Sequence, residues 1–172
     1  ILTKKKSLKV AYPSSIMMEL TNHCNIKCIT CAREYAFGER MDKGFMNFEL
    51  YKKIIDEAYP YVDSIGLTGL GETFLYKHFT EAVDYIRSKG KGIIISCSIN
   101  AHLKSSVEIA KSVVNKIDTI QISIDGIGEV YNTVRRKADY NFFLENVKQI
   151  VSAAKNSSTD LMFNMVVLRE NY

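Results

Sequence analysis

Three cysteines stand within eight residues, Cys24, Cys28 and Cys31, and a fourth, Cys97, stands alone. A loop carrying thiolates at C-x3-C-x2-C spacing can curl around one face of an inorganic cluster, because short connections let the sulfurs converge. Three thiolates on a cubane leave one iron without a protein ligand, whereas iron–sulfur clusters are ordinarily held by four. The open iron is then a place for a substrate or cofactor. Two other chemistries compete for the same residues. A structural zinc site wants a fourth Cys or His nearby, which His23 can supply, although zinc frameworks more often pair two C-x2-C knuckles and there is no second knuckle here. Disulfides fit less well, since no secretory signal points to an oxidising compartment.

The stretch Glu19-Leu20-Thr21-Asn22-His23-Cys24-Asn25-Ile26-Lys27-Cys28-Ile29-Thr30-Cys31 follows the apolar run Ile16-Met17-Met18. It resembles the signature of the radical S-adenosylmethionine (SAM) enzymes, in which this loop follows the first strand. The resemblance implies a [4Fe-4S] cluster on Cys24, Cys28 and Cys31 whose remaining iron chelates the amino and carboxylate groups of SAM. Thr30 stands where the family often has an aromatic residue near the adenine. Gly69-Leu70-Gly71-Glu72 occupies the place of a Gly-Gly-Glu-Pro-like segment that meets the SAM amino group through its backbone; Gly71 and Glu72 match, Leu70 and Thr73 depart. Taken alone, such a tetrapeptide is more often a tight turn.

The same resemblance makes Gly69, Gly71, Glu72, Ser98, Asn100, Ser123, Asp125, Arg135 and Asn164 the SAM-binding candidates. Ser98 and Asn100 correspond to the third-strand end, Ser123-Ile124-Asp125-Gly126 to the fourth-strand segment near ribose or carboxylate, Arg135 to an Arg directed at the carboxylate, and Asn164 to a polar fifth-strand position. It also implies reductive cleavage of SAM to a 5′-deoxyadenosyl radical that abstracts hydrogen from a substrate, fed by a small electron donor such as flavodoxin or ferredoxin. No general base is needed for that first step, so His23, His78 and His102 read as loop or surface residues. The pattern as a whole resembles the branch with molybdenum-cofactor cyclases and SPASM-type peptide maturases. The alternative from another class is a non-catalytic iron–sulfur electron-transfer or zinc-binding module.

The elements that must position these residues alternate. After Pro13-Ser14-Ser15, strands are expected over Ile16–Leu20, Ser64–Thr68, Ile93–Ile99, Ile117–Ile124 and Leu161–Leu168. Between them come a polar loop from Arg33 to Gly44 with little regular structure, a helix capped by Asn47 and stopped by Pro60, and a helix over Phe79–Lys89 ended by Gly90. A helix through Val107, Ala110, Val113 and Val114 follows, then a short piece over Glu129–Arg135 and a helix capped by Asn141 running to Lys155. Strands alternating with helices argue for β/α units on a parallel sheet with their C-terminal ends on one side; there is no hairpin signal. Five units are too few for a closed eight-fold barrel of about 250 residues. The expected fold is α/β, a partial parallel (β/α) barrel of radical SAM type, with residues 1–15 an N-terminal extension, 16–172 the core, and a sixth unit beyond Tyr172.

Strand parity separates the two faces. In the third strand Ile93, Ile95, Cys97 and Ile99 oppose Ser96, Ser98 and Asn100; in the fourth, Ile120, Ile122 and Ile124 oppose Gln121, Ser123 and Asp125; in the fifth, Asn164 breaks an apolar run. Helices require the apolar parity. The polar set, with Glu19 and Thr68, then lines the mouth from which the cysteine loop emerges, where β/α barrels place their active sites. Two bland readings stand beside this one: Asp125 before Gly126 can form a turn and Asn100 can cap a helix. Cys97 shares parity with isoleucines and reads as a buried thiol.

Composition sets the outer bounds. The chain has 172 residues, 47% of them hydrophobic, enough for one domain that buries roughly 70% of its unfolded surface. A net charge of +4 is mild, and Lys4-Lys5-Lys6 is the only basic run. Nothing in this points to nucleic acid or a membrane surface, and no apolar run approaches the ~20 residues of a membrane helix. The expectation is a cytoplasmic protein, where thiols stay reduced.

Overall fold

The parallel strands pair in the order in which they occur along the chain. The computed structural model describes residues 12–90 and 92–172, so Lys4-Lys5-Lys6 and most of the 1–15 extension lie outside the described residues. In chain order the elements are β1 Ser15–Met17, β2 Lys27–Cys28, a 3₁₀ turn Ala32–Glu34, α1 Ala36–Glu39, α2 Phe48–Ala58, β3 Ser64–Gly66, a 3₁₀ turn Thr73–Leu75, α3 Phe79–Arg87, β4 Ile94–Ile99, α4 Ser106–Val113, β5 Thr119–Ser123, α5 Glu129–Val134, β6 Arg135–Arg136, α6 Tyr140–Ala154 and β7 Asp160–Asn164. β1, β3, β4, β5 and β7 form one parallel sheet in that sequence. An order that follows the chain means that each right-handed crossover advances the sheet in the same direction, so the crossover helices collect on one face. A doubly wound sheet would reverse part-way. The architecture is the expected partial parallel β/α barrel.

Strand parity falls as the sequence predicts. Ile65, Leu67, Ile95, Cys97, Ile99, Ile120 and Ile122 are buried in one cluster with Tyr51 and Ile55 of α2, Val83 and Ile86 of α3, Val107 and Val113 of α4, and Phe143 and Ile150 of α6. Ser96, Ser98, Gln121 and Ser123 alternate with them and stay half-buried on the open face. Cys97 lies within the core, and burial pushes its thiol far up.

The ends of elements are set by single side chains. Asn47 caps α2 as expected, its Oδ1 accepting the Leu50 N–H at 3.0 Å, a contact worth about 1 kcal/mol. Gly90 takes φ +74° just beyond α3. The last helix corrects the expectation of an Asn141 cap. Asp139 caps it instead, accepting the Phe142 N–H at 2.7 Å, because Tyr140 must already be helical to reach the rings of Tyr131 and Phe143. The fifth parallel strand also stops earlier than its apolar run. Pairing ends at Asn164, and the Val166 N–H turns to Asp125 Oδ1 at 2.9 Å.

Two features were not expected. The polar segment after Cys31 carries a 3₁₀ turn and α1. β2 and β6 pair antiparallel as a two-residue ribbon, Lys27 opposite Arg136 and Cys28 opposite Arg135, so the cysteine loop is tied to the segment after β5.

Candidate cluster and cofactor site

The C-terminal ends of β3, β4 and β5 open onto a cavity of about 160 Å³ whose walls include Cys24, Cys28 and Cys31, the Gly69–Glu72 loop, Ser98, Asn100, Ser123 and Arg135. A larger cavity of about 480 Å³ lies between Phe45–Glu49 and Leu75–His78, but its lining is mostly apolar and holds no cysteine. The chemistry is gathered in the smaller one.

The cysteine loop is held from three sides. The Ile29 N–H donates to Val134 O at 2.9 Å, extending the β2–β6 pairing. Pleating then turns Cys28 and Arg135 to the cavity and Lys27 and Arg136 outward, in line with their burial. Arg33, almost fully buried, donates from Nη2 to Ile26 O at 3.0 Å and from Nη1 to Asn22 O at 3.4 Å, and pairs with Glu34 at 2.7 Å. Asn25 ties the loop to the β4 end, donating to His102 O at 2.8 Å. His23 is not turned to the sulfurs; its ring stacks on Phe45 at 4.7 Å.

The Gly69–Glu72 loop is knitted to the cysteine loop. The Glu72 N–H donates to His23 O at 2.7 Å, and Glu19 Oε2 accepts the Leu70 N–H at 2.5 Å. A Cβ on Gly71 would stand 2.2 Å from Thr21 O, and one on Gly69 would stand 2.3 Å from Glu19 Cγ. The space each glycine leaves free is therefore occupied by the protein's own chain. Glu72 points inward: Oε2 accepts the Asn100 N–H at 2.6 Å and Oε1 the Phe74 N–H at 3.2 Å. Burial pushes its carboxyl up to about 7, against the pull of those two N–H groups and of Arg135.

At the strand ends, the Ser98 N–H donates to Thr68 Oγ1 at 2.9 Å and the Ser98 and Ser123 hydroxyls stand 3.5 Å apart. Asn100 faces the cysteine loop, its Nδ2 lying 2.9 Å from Asn25 Oδ1 and 3.6 Å from Cys24 Sγ, while its Oδ1 accepts the His102 N–H. Asp125 and Arg135 form a buried ion pair at 2.9 Å. Asp125 thus lies behind Arg135 and not on the cavity wall. Asn164 stands apart on the exposed end of β7, level with Ser123 in register. Among the nominated residues, Asp125 and Asn164 are the two that do not line the cavity. Sequence reasoning missed Arg33, whose only signal was a cation two positions after the last cysteine, and the bracing roles of Asn25 and Glu19.

The donor set fits a cluster. All four cysteines are free thiols. Cys28 is pushed up to about 11, chiefly by burial and further by Cys24, Asp125 and Cys31, while Arg135 opposes the shift. Cys24 is likewise raised by burial. Half-buried thiols whose ionisation the surroundings disfavour in this way gain a compensating cation when a metal centre displaces their protons. The Arg135 Nε is buried without a partner, a donor available to an anionic group in the cavity. Among the described residues no group of three or more His, Cys, Asp or Glu stands close enough together to hold a metal ion as the side chains lie.

The fold and this site define a class: a parallel β/α barrel segment with a three-cysteine loop at its mouth. Residues 18–172 match the radical SAM superfamily, and the chain belongs to it; enzymes of this superfamily use a [4Fe-4S] cluster and SAM. It is 29% identical over 150 residues to the antilisterial bacteriocin subtilosin biosynthesis protein AlbA of Bacillus subtilis, covering 86% of this chain and 32% of that protein. It is 29% identical over 157 residues to a probable GTP 3′,8-cyclase of Methanothermobacter thermautotrophicus, covering 90% and 48%. These relatives fall in the maturase and cyclase branch that the sequence resembles. Among solved structures, Streptococcus suis SuiB bound to S-adenosylmethionine superposes with a TM-score of 0.71 at 18% identity, covering 92% of this chain and 35% of that one. The chain spans between about a third and a half of the length of the curated relatives named here.

Proposed function

We propose that this chain is the core of an enzyme that binds a [4Fe-4S] cluster through Cys24, Cys28 and Cys31 and cleaves SAM reductively. When bound, the cluster and SAM together supply a 5′-deoxyadenosyl radical that takes hydrogen from a substrate. The observation that carries this reading is the convergence of the three cysteines and the Gly69–Glu72 loop on one cavity at the strand ends. Arg135, held by Asp125, offers a cation to the SAM carboxylate, and Ser98 and Ser123 offer hydroxyls to the ribose. Glu72 and Glu19 fix the loop whose backbone receives the SAM amino group. Asn164 and the open face of β5 and β7 lie on the substrate side. The protein's part is to bind, orient and exclude water, since the cofactor carries the hard chemistry.

The names of the relatives support a peptide or a cofactor precursor as substrate; a low-potential donor such as flavodoxin or ferredoxin as electron source and a cytoplasmic setting are what the resemblance to radical SAM enzymes implies. No described helix is long and apolar enough to cross a membrane. The test is anaerobic reconstitution with iron and sulfide, addition of dithionite and SAM, and assay for 5′-deoxyadenosine. Product that disappears in Cys28→Ala is expected. A bound cluster that neither binds nor cleaves SAM would transfer the chain to the electron-transfer alternative.

A further inference from the structure

We propose that the outward face of the β2–β6 ribbon is the docking surface for an acidic one-electron donor protein, and that the electron enters the site through Cys28. The proposal rests on the radical SAM reading of the cavity. Its starting point is a charge pattern that the fold does not need. Lys27 and Arg136 lie directly opposite each other in the antiparallel pair, and like charges in that position work against the pairing. Lys137 follows in the left-handed region at φ +66°, where Gly or Asn is the less strained choice. All three side chains are exposed.

The neighbouring acids leave most of this charge standing. Glu34 reaches Lys27 at 3.4 Å, but Glu34 is shared with buried Arg33 at 2.7 Å. Asp125 is committed to Arg135, and Asp139 caps α6 through the Phe142 N–H. Among the described residues Arg136 and Lys137 have no ion pair. The ribbon therefore presents cations outward while the same two strands present Cys28 and Arg135 to the cavity. Cys28 directly follows Lys27, so a donor seated on the cations lies one residue from a cluster ligand. Complementary charge steers association and raises the on-rate more than it deepens affinity, which suits a partner that must dock, deliver and leave. In the step itself one electron leaves the donor's reduced centre and enters the cluster; the donor is oxidised, the cluster reduced, and no bond is made or broken.

The test compares two reductants on the reconstituted, cluster-loaded protein. Arg136→Gln and Lys137→Asn, singly and together, remove the unpaired cations, and Asn tolerates the positive φ; Lys53→Gln on exposed α2 surface is the control. Reduced flavodoxin, an acidic donor, is mixed in stopped flow and its reoxidation followed by flavin absorbance at several salt concentrations. The expected result is a second-order rate at least tenfold lower in the double variant at low salt, with a flattened salt dependence, and no change in the control. Dithionite-driven 5′-deoxyadenosine formation should be equal in all of them, so a failure of the radical SAM reading would show with dithionite and a failure of this proposal only with flavodoxin. An unchanged flavodoxin rate in a double variant of normal iron content overturns the proposal. So does an unchanged rate accompanied by weaker binding of poly-glutamate, which would assign the patch to an acidic substrate. Should the double variant lose its cluster, the singly substituted Lys137→Asn, which leaves the ribbon intact, decides the matter by the same rate.

Discussion

Asn100 bridges the barrel and the cysteine loop, and its amide has a bond to lose on each side. Its Nδ2 stands 3.6 Å from Cys24 Sγ and its Oδ1 holds the His102 N–H. Hydrogen bonds to cluster sulfurs are one of the determinants of reduction potential, because a donor favours the more negative, reduced state. Asn100→Ala is therefore expected to lower the midpoint potential of the loaded cluster, read by an EPR-monitored redox titration. It should also cost about 1–3 kcal/mol of stability through the buried partners left unpaired. A stability loss with no change in potential would make the contact structural only. Glu72 gives a pH dependence. Its carboxyl moves from 4.5 to about 7 on folding. Between those values the folded chain keeps a proton that the unfolded chain has released. Its contribution is thus whole below about 4.5 and is lost as pH rises to about 7, a fall of about 3 kcal/mol. Urea unfolding of the cofactor-free chain across that range should show the decline, and Glu72→Gln should flatten it. At this scale the sequence was partly legible. Parity alone brought Ser98, Asn100 and Ser123 to the right face. It could not show that Asp125 spends its carboxylate on Arg135, because that pairing is made by the path of the loop between them.

The elements around the site are joined loop to loop more than helix to helix. Gly71 is where this matters, since a methyl group there meets the Thr21 carbonyl at 2.2 Å and the His23 carbonyl at 2.5 Å, both backbone atoms of the cysteine loop that cannot rotate away. Gly71→Ala is expected to cost about 1–3 kcal/mol by overpacking and to lower the iron bound per chain after reconstitution. Gly44→Ala, with nothing within 4 Å of the new methyl, should leave both unchanged. Thermal unfolding and an iron assay on the two variants separate a local fault in the loops from a general loss of fold. The long elements were readable because each spans several repeats of its period: Asn47, Gly90 and the isoleucine parity of β4 and β5 are all found where expected. The β2–β6 ribbon was not, since two residues per strand leave no periodicity to detect. The cap of α6 was missed for a related reason. Asp139 and Asn141 are equally good caps, and the choice falls to the packing of Tyr140 against Tyr131.

Over the whole molecule the sheet is unevenly covered. Its helix-facing side is closed from β3 to β5, whereas β7 pairs with β5 alone and is exposed over most of its length, with Met162 at 52% and Phe163 at 53%, and the segment after it stays exposed too, with Met165 at 50% and Val167 at 65%. The sequence marked Leu161 to Leu168 as the fifth strand, and its apolar character is what a place in a parallel sheet requires. In the described chain that surface faces outward, and an apolar strand with one unpaired edge is a template for association with another copy. Met165→Lys and Val167→Lys place a charge on the exposed apolar segment that follows β7 without touching the core. Both are expected to reduce self-association of the described chain, measured by size-exclusion chromatography with light scattering over a concentration series. Their unfolding free energies should stay within about 0.5 kcal/mol of the parent, as befits exposed side chains. A larger loss of stability would mean that these residues already pack against the barrel. Unchanged association would place the sticky surface elsewhere, and the mostly apolar cavity beside Phe45 and Phe48 would be the next region to charge, because its lining combines aromatic rings with an opening to solvent.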